Sequence, residues 1–400
     1  MRPSSPESDD ASLVVLGAGY AGVRLAREVA RRSKGQLPVV LVDRHPVHVI
    51  RTELYEIGAI AQEQGAPLRL AVPIDRVLRS SGVKFRTGRV EGIDLADRTV
   101  KLADGALRYR YLAICLGSAI AYYGVPGALE NTHQVYRLTG ALMLAQALKS
   151  VESASAGWPI GRRPQVLVVG GGSTGTEVAA EIATTDWAEV SGGSARPPHV
   201  TLIAGAVPFL AGLPEGLVRH ARELLAKAEV ELSEGINVTR VDPGRLSLHD
   251  GSSREFDVAV WCAGVQAPPV VRALEVPHGK AGRLKVRETL ELPDHPEVFA
   301  VGDVAEFEDP KTRMLVPATA QAALAEASVA AANLVRRAAG EPLRPFVYRE
   351  KGMIVAVGRR RASGSLRRVT VWGSPAALLK RLTEREYSAA VRLGRSPPGL

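Results

Sequence analysis

An α/β fold of two similar parallel-sheet domains, the second inserted in the first, is what this 400-residue sequence predicts. Three observations predict it. Two separated segments share one layout: LVVLGAGYAGVRLAREVARR from Leu13 to Arg32, and VLVVGGGSTGTEVAAEIATT from Val166 to Thr185. Each passes from an apolar β-branched run through GxGxxG into a helical pattern. A further apolar strand follows each, Val39 to Val42 and Val200 to Ile203, so both copies read as βαβ units with parallel strands. Finally, Ala, Gly and Val are common while aromatic residues make up 5%, which suits buried parallel strands under small-residue helices. Both domains are therefore expected to be Rossmann-like and dinucleotide-binding.

Taken in order, residues 1–12 are polar and acidic, carry no basic-then-apolar pattern of a secretory signal, and are expected to be a disordered lead-in. Residues 13–123 form the first part of the first domain. After its βαβ unit come β-rich stretches, Val83 to Arg89 and Thr99 to Leu102, with turns at Asp94 to Arg98 and at Asp104-Gly105. Tyr111 to Leu116 is an apolar strand ending in Gly117-Ser118. The second domain spans 124–266, and its counterpart strand, Val258 to Cys262, ends in Ala263-Gly264. Ser153 to Pro164 and Ser191 to Pro198 are expected as surface loops. The first domain resumes over 267–335 with a strand at Val298 to Val301 and a long Ala-rich helix from Ala318 to Ala339. A small basic C-terminal region, 336–400, follows, with strands at Met353 to Val357 and Arg368 to Trp372.

Each glycine triplet serves one purpose. Gly17, Gly19 and Gly22 allow a tight turn, close approach of backbone to a pyrophosphate, and close helix–strand packing. The helix that starts there presents unpaired N–H groups and the positive end of its dipole. Asp43 closes the next strand, where a carboxylate accepts hydrogen bonds from ribose hydroxyls. The second triplet, Gly170, Gly172 and Gly175, has the same strand–turn–helix setting. Its acidic partner is missing: Ala204, Gly205 and Ala206 stand there, with no Arg beside them, so the cradle still suits a pyrophosphate but the sequence does not say whether NADH or NADPH is bound. Gly302-Asp303 places a further carboxylate at the C-terminal edge of a strand, where ligands bind in such sheets.

Composition narrows the class. Two cysteines, Cys115 and Cys262, without CxxC spacing, exclude a disulfide framework, a cysteine metal cage and a dithiol relay. No metal site is expected. Between Arg336 and Leu400, 15 Lys or Arg against 4 Glu make that stretch +11 in a chain of net charge +9. Such a region suits an anionic membrane surface or a second copy of the chain in a homodimer; no nucleic-acid partner is expected. Ser374 to Arg395 reads as a weakly amphipathic interfacial helix, stopped by Ser396-Pro397-Pro398. With no apolar run of about 18 residues, no transmembrane helix is predicted. The expected location is cytoplasmic, with peripheral contact at the cytoplasmic face of a membrane.

Seven motifs together resemble one family: GAGYAG (Gly17 to Gly22), ELYEIG (Glu53 to Gly58), ICLGS (Ile114 to Ser118), GGGSTGTEVAAE (Gly170 to Glu181), VWCAGV (Val260 to Val265), FAVGDVA (Phe299 to Ala305) and PATAQAALAEA (Pro317 to Ala327). They resemble the type II NADH:quinone dehydrogenases among the FAD-dependent pyridine nucleotide oxidoreductases, from Leu13 to Gly358. The resemblance implies FAD in the first domain, with Gly117, Gly302, Asp303 and Ala320 among its contacts, and NAD(P)H in the second, with Gly264 at its edge. It implies catalytic roles for Glu177 beside the nicotinamide, for Gln321 near the flavin and quinone, and for Lys351 near the flavin. The expected reaction passes hydride from NADH or NADPH to FAD and then two electrons to an acceptor, a quinone first.

Three departures stand out. Ala325 replaces a family Gln, with Glu326 following; Ala204 replaces the ribose acid; and the tail lacks strongly apolar anchoring helices. Other readings are a flavin reductase serving a protein partner, a sulfide:quinone oxidoreductase using the cysteines, and a flavin-bearing sensor without turnover. Both cysteines lie in apolar strands before glycine turns, where inert thiols are the rule.

Overall fold

The computed structural model describes residues 10–63, 65–192, 196–366 and 369–395. The first domain is built on an eight-stranded sheet whose centre is parallel. Strand β1 (Asp10–Leu16) leads into helix α1 (Tyr20–Arg32) and returns as β2 (Val39–Asp43), followed by β3 (Lys84–Thr87) and β4 (Gly105–Ile114). β1 lies between β2 and β4, and β3 extends the sheet beyond β2. Strand β1 begins three residues before the apolar run, because Asp10 and Ala11 pair with Arg108 and Tyr109 of β4. The expected lead-in of 1–12 is therefore too long by three residues, and 1–9 lie outside the described residues.

The second domain is a four-stranded, wholly parallel sheet. Its elements are β5 (Gln165–Val169), α2 (Ser173–Thr184), β6 (His199–Ala204), α3 (Glu215–Lys227), β7 (Val230–Glu234) and β8 (Val258–Trp261). β5 sits between β6 and β8. Ala119–Ile120 pairs antiparallel with Val265–Gln266, so the chain enters and leaves this domain side by side. The expected loop from Ser153 begins later, since the helix Leu138–Ser155 runs into it and buries Glu152 and Ser155 completely. Of the loop expected over 191–198, Ser191 ends a short helix and 193–195 lie outside the described residues.

The chain then returns to the first sheet as β9 (His295–Ala300), parallel to β4, and crosses it as α4 (Ala320–Ala338). Helix α4 packs beside α1: Leu25 and Val29 of α1 and Ala327, Ala330 and Ala331 of α4 are all fully buried in one core with Phe299. Its alanines let two backbones approach closely while covering one sheet face. Thr319 caps α4, its Oγ1 accepting from Ala322 N at 3.2 Å, which starts the helix two residues after Ala318.

The basic C-terminal region is a folded unit. β10 (Met353–Ala356), β11 (Ala362–Leu366) and β12 (Val369–Gly373) form an antiparallel sheet, and α5 (Ser374–Arg392) follows. Arg368, expected to begin β12, and the Ser396-Pro397-Pro398 stop lie outside the described residues. The sheet docks on the second domain, where Ser363 Oγ donates to Leu217 O and Trp372 stacks on His220. Helix α5 turns Ala376, Ala377, Tyr387 and Val391 inward and leaves Leu378, Leu382 and Leu393 exposed. It touches both domains, since Arg76 Nε donates to Arg392 O at 2.7 Å and Lys380 pairs with Glu177 at 3.0 Å. None of the described helices is long and apolar enough to cross a membrane.

Candidate active site

The two glycine turns have the same construction. Gly17 has φ +100°, and a Cβ there would lie 2.4 Å from Cys115 O; a Cβ on Gly22 would lie 1.8 Å from Gly17 O. No side chain fits at either place, so the turn stays tight and α1 starts against the strand end. In the second copy a Cβ on Gly170 would lie 2.3 Å from Cys262 O, and one on Gly175 would lie 1.9 Å from Gly170 O. Gly19 and Gly172 have nothing within 4 Å on that side, so their open faces admit a ligand.

Both turns open on one cleft of about 1240 Å³, more than one drug-sized ligand fills. From the first domain it is lined by Gly17, Gly19, Asp43, Gly117, Gly302, Asp303 and Ala320, and from the second by Gly172, Glu177 and Gly264. Gly22, Gly170 and Gly175 shape the turns from behind and are outside the lining. Gln321 and Lys351 are also outside it. Gln321 Oε1 instead accepts from Tyr348 Oη at 3.0 Å and from the Lys351 backbone N at 3.1 Å, tying the approach to the C-terminal sheet to the start of α4.

The cleft's carboxylates are held in place. Asp43 Oδ2 accepts from Ala18 N at 2.7 Å, so the β2 terminus is fastened to the first turn. Asp303 Oδ2 accepts from Ser118 Oγ at 2.9 Å; Ser118 Oγ lies 2.7 Å from Tyr136 Oη, which accepts from Arg51. The Arg51 guanidinium also lies 4.5 Å over the Tyr136 ring. Behind Asp303, buried Glu326 accepts from Gly302 N at 2.7 Å. Burial, reinforced by Asp303, pushes its carboxyl up to about 8, so it is protonated at neutral pH.

Two features come from distant sequence. Buried His48 places Nδ1 2.9 Å from Ala18 O and Nε2 3.1 Å from Tyr387 Oη, while Tyr387 stacks on Tyr20 at 4.7 Å. Burial lowers His48 to about 4, so the ring is neutral. Its Nδ1–H donates to Ala18 O, and Nε2 accepts from Tyr387. The second is Lys380, which lines the cleft and lies 3.0 Å from Glu177 and 3.1 Å from Glu384. Burial alone would lower its ammonium, but the two carboxylates outweigh that and raise it well above its ordinary value. Glu177 also accepts from Ala356 N at 3.1 Å. The cation beside Glu177 is thus Lys380 of α5. Its i,i+4 partner Glu384, with Ala376, Ala377, Tyr387 and Val391 at helical spacing, is the one sequence sign of a buried face there.

Both cysteines are free, and each follows the strand behind its own glycine turn. Burial pushes the Cys262 thiol up to about 12 and raises Cys115 further, leaving neither as a thiolate. Among the described residues no three His, Cys, Asp or Glu side chains gather as a metal would require.

The sequence profile of the pyridine nucleotide-disulphide oxidoreductases matches residues 11–327. The chain is 29% identical to the demethylphylloquinone reductase NdbB of Synechocystis over 380 residues, 92% of this chain and 90% of that one. With the type II NADH:quinone oxidoreductase Ndh of Mycobacterium tuberculosis it shares 30% over 373 residues, 87% of this chain and 78% of that one. Its fold is similar to that of NDH2 from Plasmodium falciparum, solved in complex with NADH, with a TM-score of 0.81, 14% identity and 96% of each chain covered. Two equivalent dinucleotide turns on one cleft, joined to this profile match, lead to one assignment: the chain belongs to the pyridine nucleotide-disulphide oxidoreductase family.

Proposed function

We propose that this chain is an FAD-dependent NADH:quinone oxidoreductase. One observation carries the reading: two equivalent glycine turns, one per domain, open on a single cleft. The names of its relatives, a demethylphylloquinone reductase and a type II NADH:quinone oxidoreductase, support quinone as the acceptor.

The residues of the first domain fit FAD. The Gly17–Gly19 turn and the start of α1 would hold the pyrophosphate, Asp43 the adenosine ribose, and Asp303, fixed through Ser118, the ribityl hydroxyls. The N-terminal end of α4 at Ala320 brings its positive dipole to the cleft, where it would favour negative charge on a bound group. When bound, FAD supplies the two-electron relay between a hydride donor and an acceptor that cannot react directly. The second turn at Gly172 would hold the nicotinamide nucleotide, with Glu177 and Gly264 beside it.

Reducing a quinone with NADH consumes one proton from solution in each turnover. Glu177 and Lys380 are the charged pair at the cleft wall that can hold a proton there, and α5 is the element that brings Lys380 to it. Gln321 and Lys351 act from outside the cleft, holding the 348–351 stretch beside the start of α4. On the opposite face of α5, Leu378, Leu382 and Leu393 lie exposed among Arg381, Arg385 and Arg395. That face suits peripheral contact with an anionic membrane, on the cytoplasmic side, where the nucleotide donor and lipid-borne quinone meet.

Anaerobic mixing with NADH tests the reading. Bleaching of bound flavin, then re-oxidation by a soluble quinone, is expected. A colourless protein that takes up no added FAD would overturn it.

A further inference from the structure

We propose that this enzyme does not discriminate against a 2′-phosphate and takes NADPH and NADH alike, with Asn237 standing where a ribose carboxylate would. The inference rests on the reading of the second domain as the hydride donor's site.

In a dinucleotide-binding βαβ unit, the acid at the end of the second strand bonds the ribose 2′-OH and repels a 2′-phosphate. The first domain has that acid, Asp43, at the end of β2. In the second domain β6 ends at Ala204, whose side chain is fully buried. The neighbouring strand β7 ends in Glu234, the register partner of Ala204. Glu234 is not free to serve: its carboxylate is forked by Arg222, with Nη2 to Oε1 at 2.8 Å, and Oε1 also accepts from Phe209 N at 3.3 Å. The Arg222 guanidinium also lies 5.0 Å over the Phe209 ring. The local acid is thereby neutralised one-to-one.

What meets the strand mouth instead is Asn237. Its Oδ1 accepts from Ala206 N at 2.9 Å, and a Cβ on Gly205 would lie 2.4 Å from that same oxygen. The residue is exposed, and among the described residues its Nδ2 has no protein acceptor. A neutral amide donor serves a phosphate oxygen as well as a hydroxyl, and no unpaired carboxylate opposes the added charge of about −2 on a 2′-phosphate.

Anaerobic flavin reduction by each nucleotide in the full-length holoenzyme reads this out. We expect kcat/KM for NADPH to lie within about tenfold of that for NADH, the scale of one neutral hydrogen bond. Asn237→Asp keeps the acceptor for Ala206 N but adds a charge, so the NADPH/NADH ratio should fall at least tenfold. Ala204→Glu, which restores a carboxylate on β6 itself, should shift the ratio the same way. NADPH efficiency below one-tenth of that for NADH in the unaltered enzyme overturns the inference, as does a ratio that neither substitution moves. Reduction by NADH alone sinks only this inference; reduction by neither nucleotide sinks the oxidoreductase reading, and this inference with it.

Discussion

Lys380→Met removes a cation and leaves the carbon stem. Its ammonium lies 3.0 Å from Glu177 and 3.1 Å from Glu384, whose side chains are 12% and 9% exposed. Removing one partner of a buried ion pair costs about 3–5 kcal/mol, because the remaining charge loses its compensation. The cost must depend on pH. Burial, with the like charge of Glu177, already holds Glu384 at about 7, above the ordinary carboxyl value, even with Lys380 present. Without Lys380 the Glu384 carboxyl rises further and escapes by taking a proton. At pH 6 that escape costs Glu384 about 1.4 kcal/mol for every unit above the ordinary value of about 4.3, or roughly 2 kcal/mol. At pH 8.5 the escape is costlier and the full penalty of about 4 kcal/mol shows. Urea denaturation of Lys380→Met and of the parent at both pH values measures this. The variant should be markedly less stable at pH 8.5 and only modestly so at pH 6, and Lys380→Met/Glu384→Gln should recover part of the loss. Equal destabilisation at the two pH values would refute the coupled-charge argument.

Three further predictions follow from the same geometry. Among the described residues fully buried Glu152 has neither oxygen bonded, and burial raises it to about 8, so its folded value lies above its unfolded one; stability falls as pH rises from about 4 to 8, and Glu152→Gln should flatten the stability-against-pH curve and raise it at pH 8.5 by about 1–3 kcal/mol. A methyl group at Gly22 would lie 1.8 Å from Gly17 O and one at Gly175 1.9 Å from Gly170 O, so Gly22→Ala should be purified without flavin colour, whereas Gly175→Ala should keep its colour and lose bleaching by NADH; the reverse pattern would exchange the two cofactor assignments. Leu382 is 53% exposed on the outer face of α5, and Leu382→Glu should lower co-sedimentation with anionic vesicles about tenfold at low salt, from the lost burial of about 1.5 kcal/mol or more; unchanged sedimentation removes α5 as the contact.

Much of this architecture was legible because its signals are local. A β-branched run, three glycines at fixed spacing and an amphipathic helix sit within twenty residues of each other, and the register of β1 and of β5 follows from them. Local pattern also puts Asp43 at the end of β2 and Asp303 three residues past the end of β9, and both line the cleft. Gln321 and Lys351 were placed by resemblance, and they meet each other rather than the cleft, since side-chain direction is set by packing against Tyr348. His48–Tyr387 and Glu177–Lys380 join residues hundreds of positions apart, and no pattern along the chain announces such meetings. The inner face of the tail helix is hidden for a physical reason. Charge dominates its composition, but only the spacing of Ala376, Ala377, Tyr387 and Val391 reveals that one face is interior.

The paired crossing at Ala119–Ile120 and Val265–Gln266 has a consequence for how such a protein arises. Strands paired this way hold their backbones about 5 Å apart. The chain therefore enters and leaves the inner domain through one narrow doorway, and a short loop could close the gap if that domain were absent. Genes could gain or lose it as a single cassette without re-threading the outer sheet, which makes duplication of one nucleotide-binding unit into the edge of another a short evolutionary step.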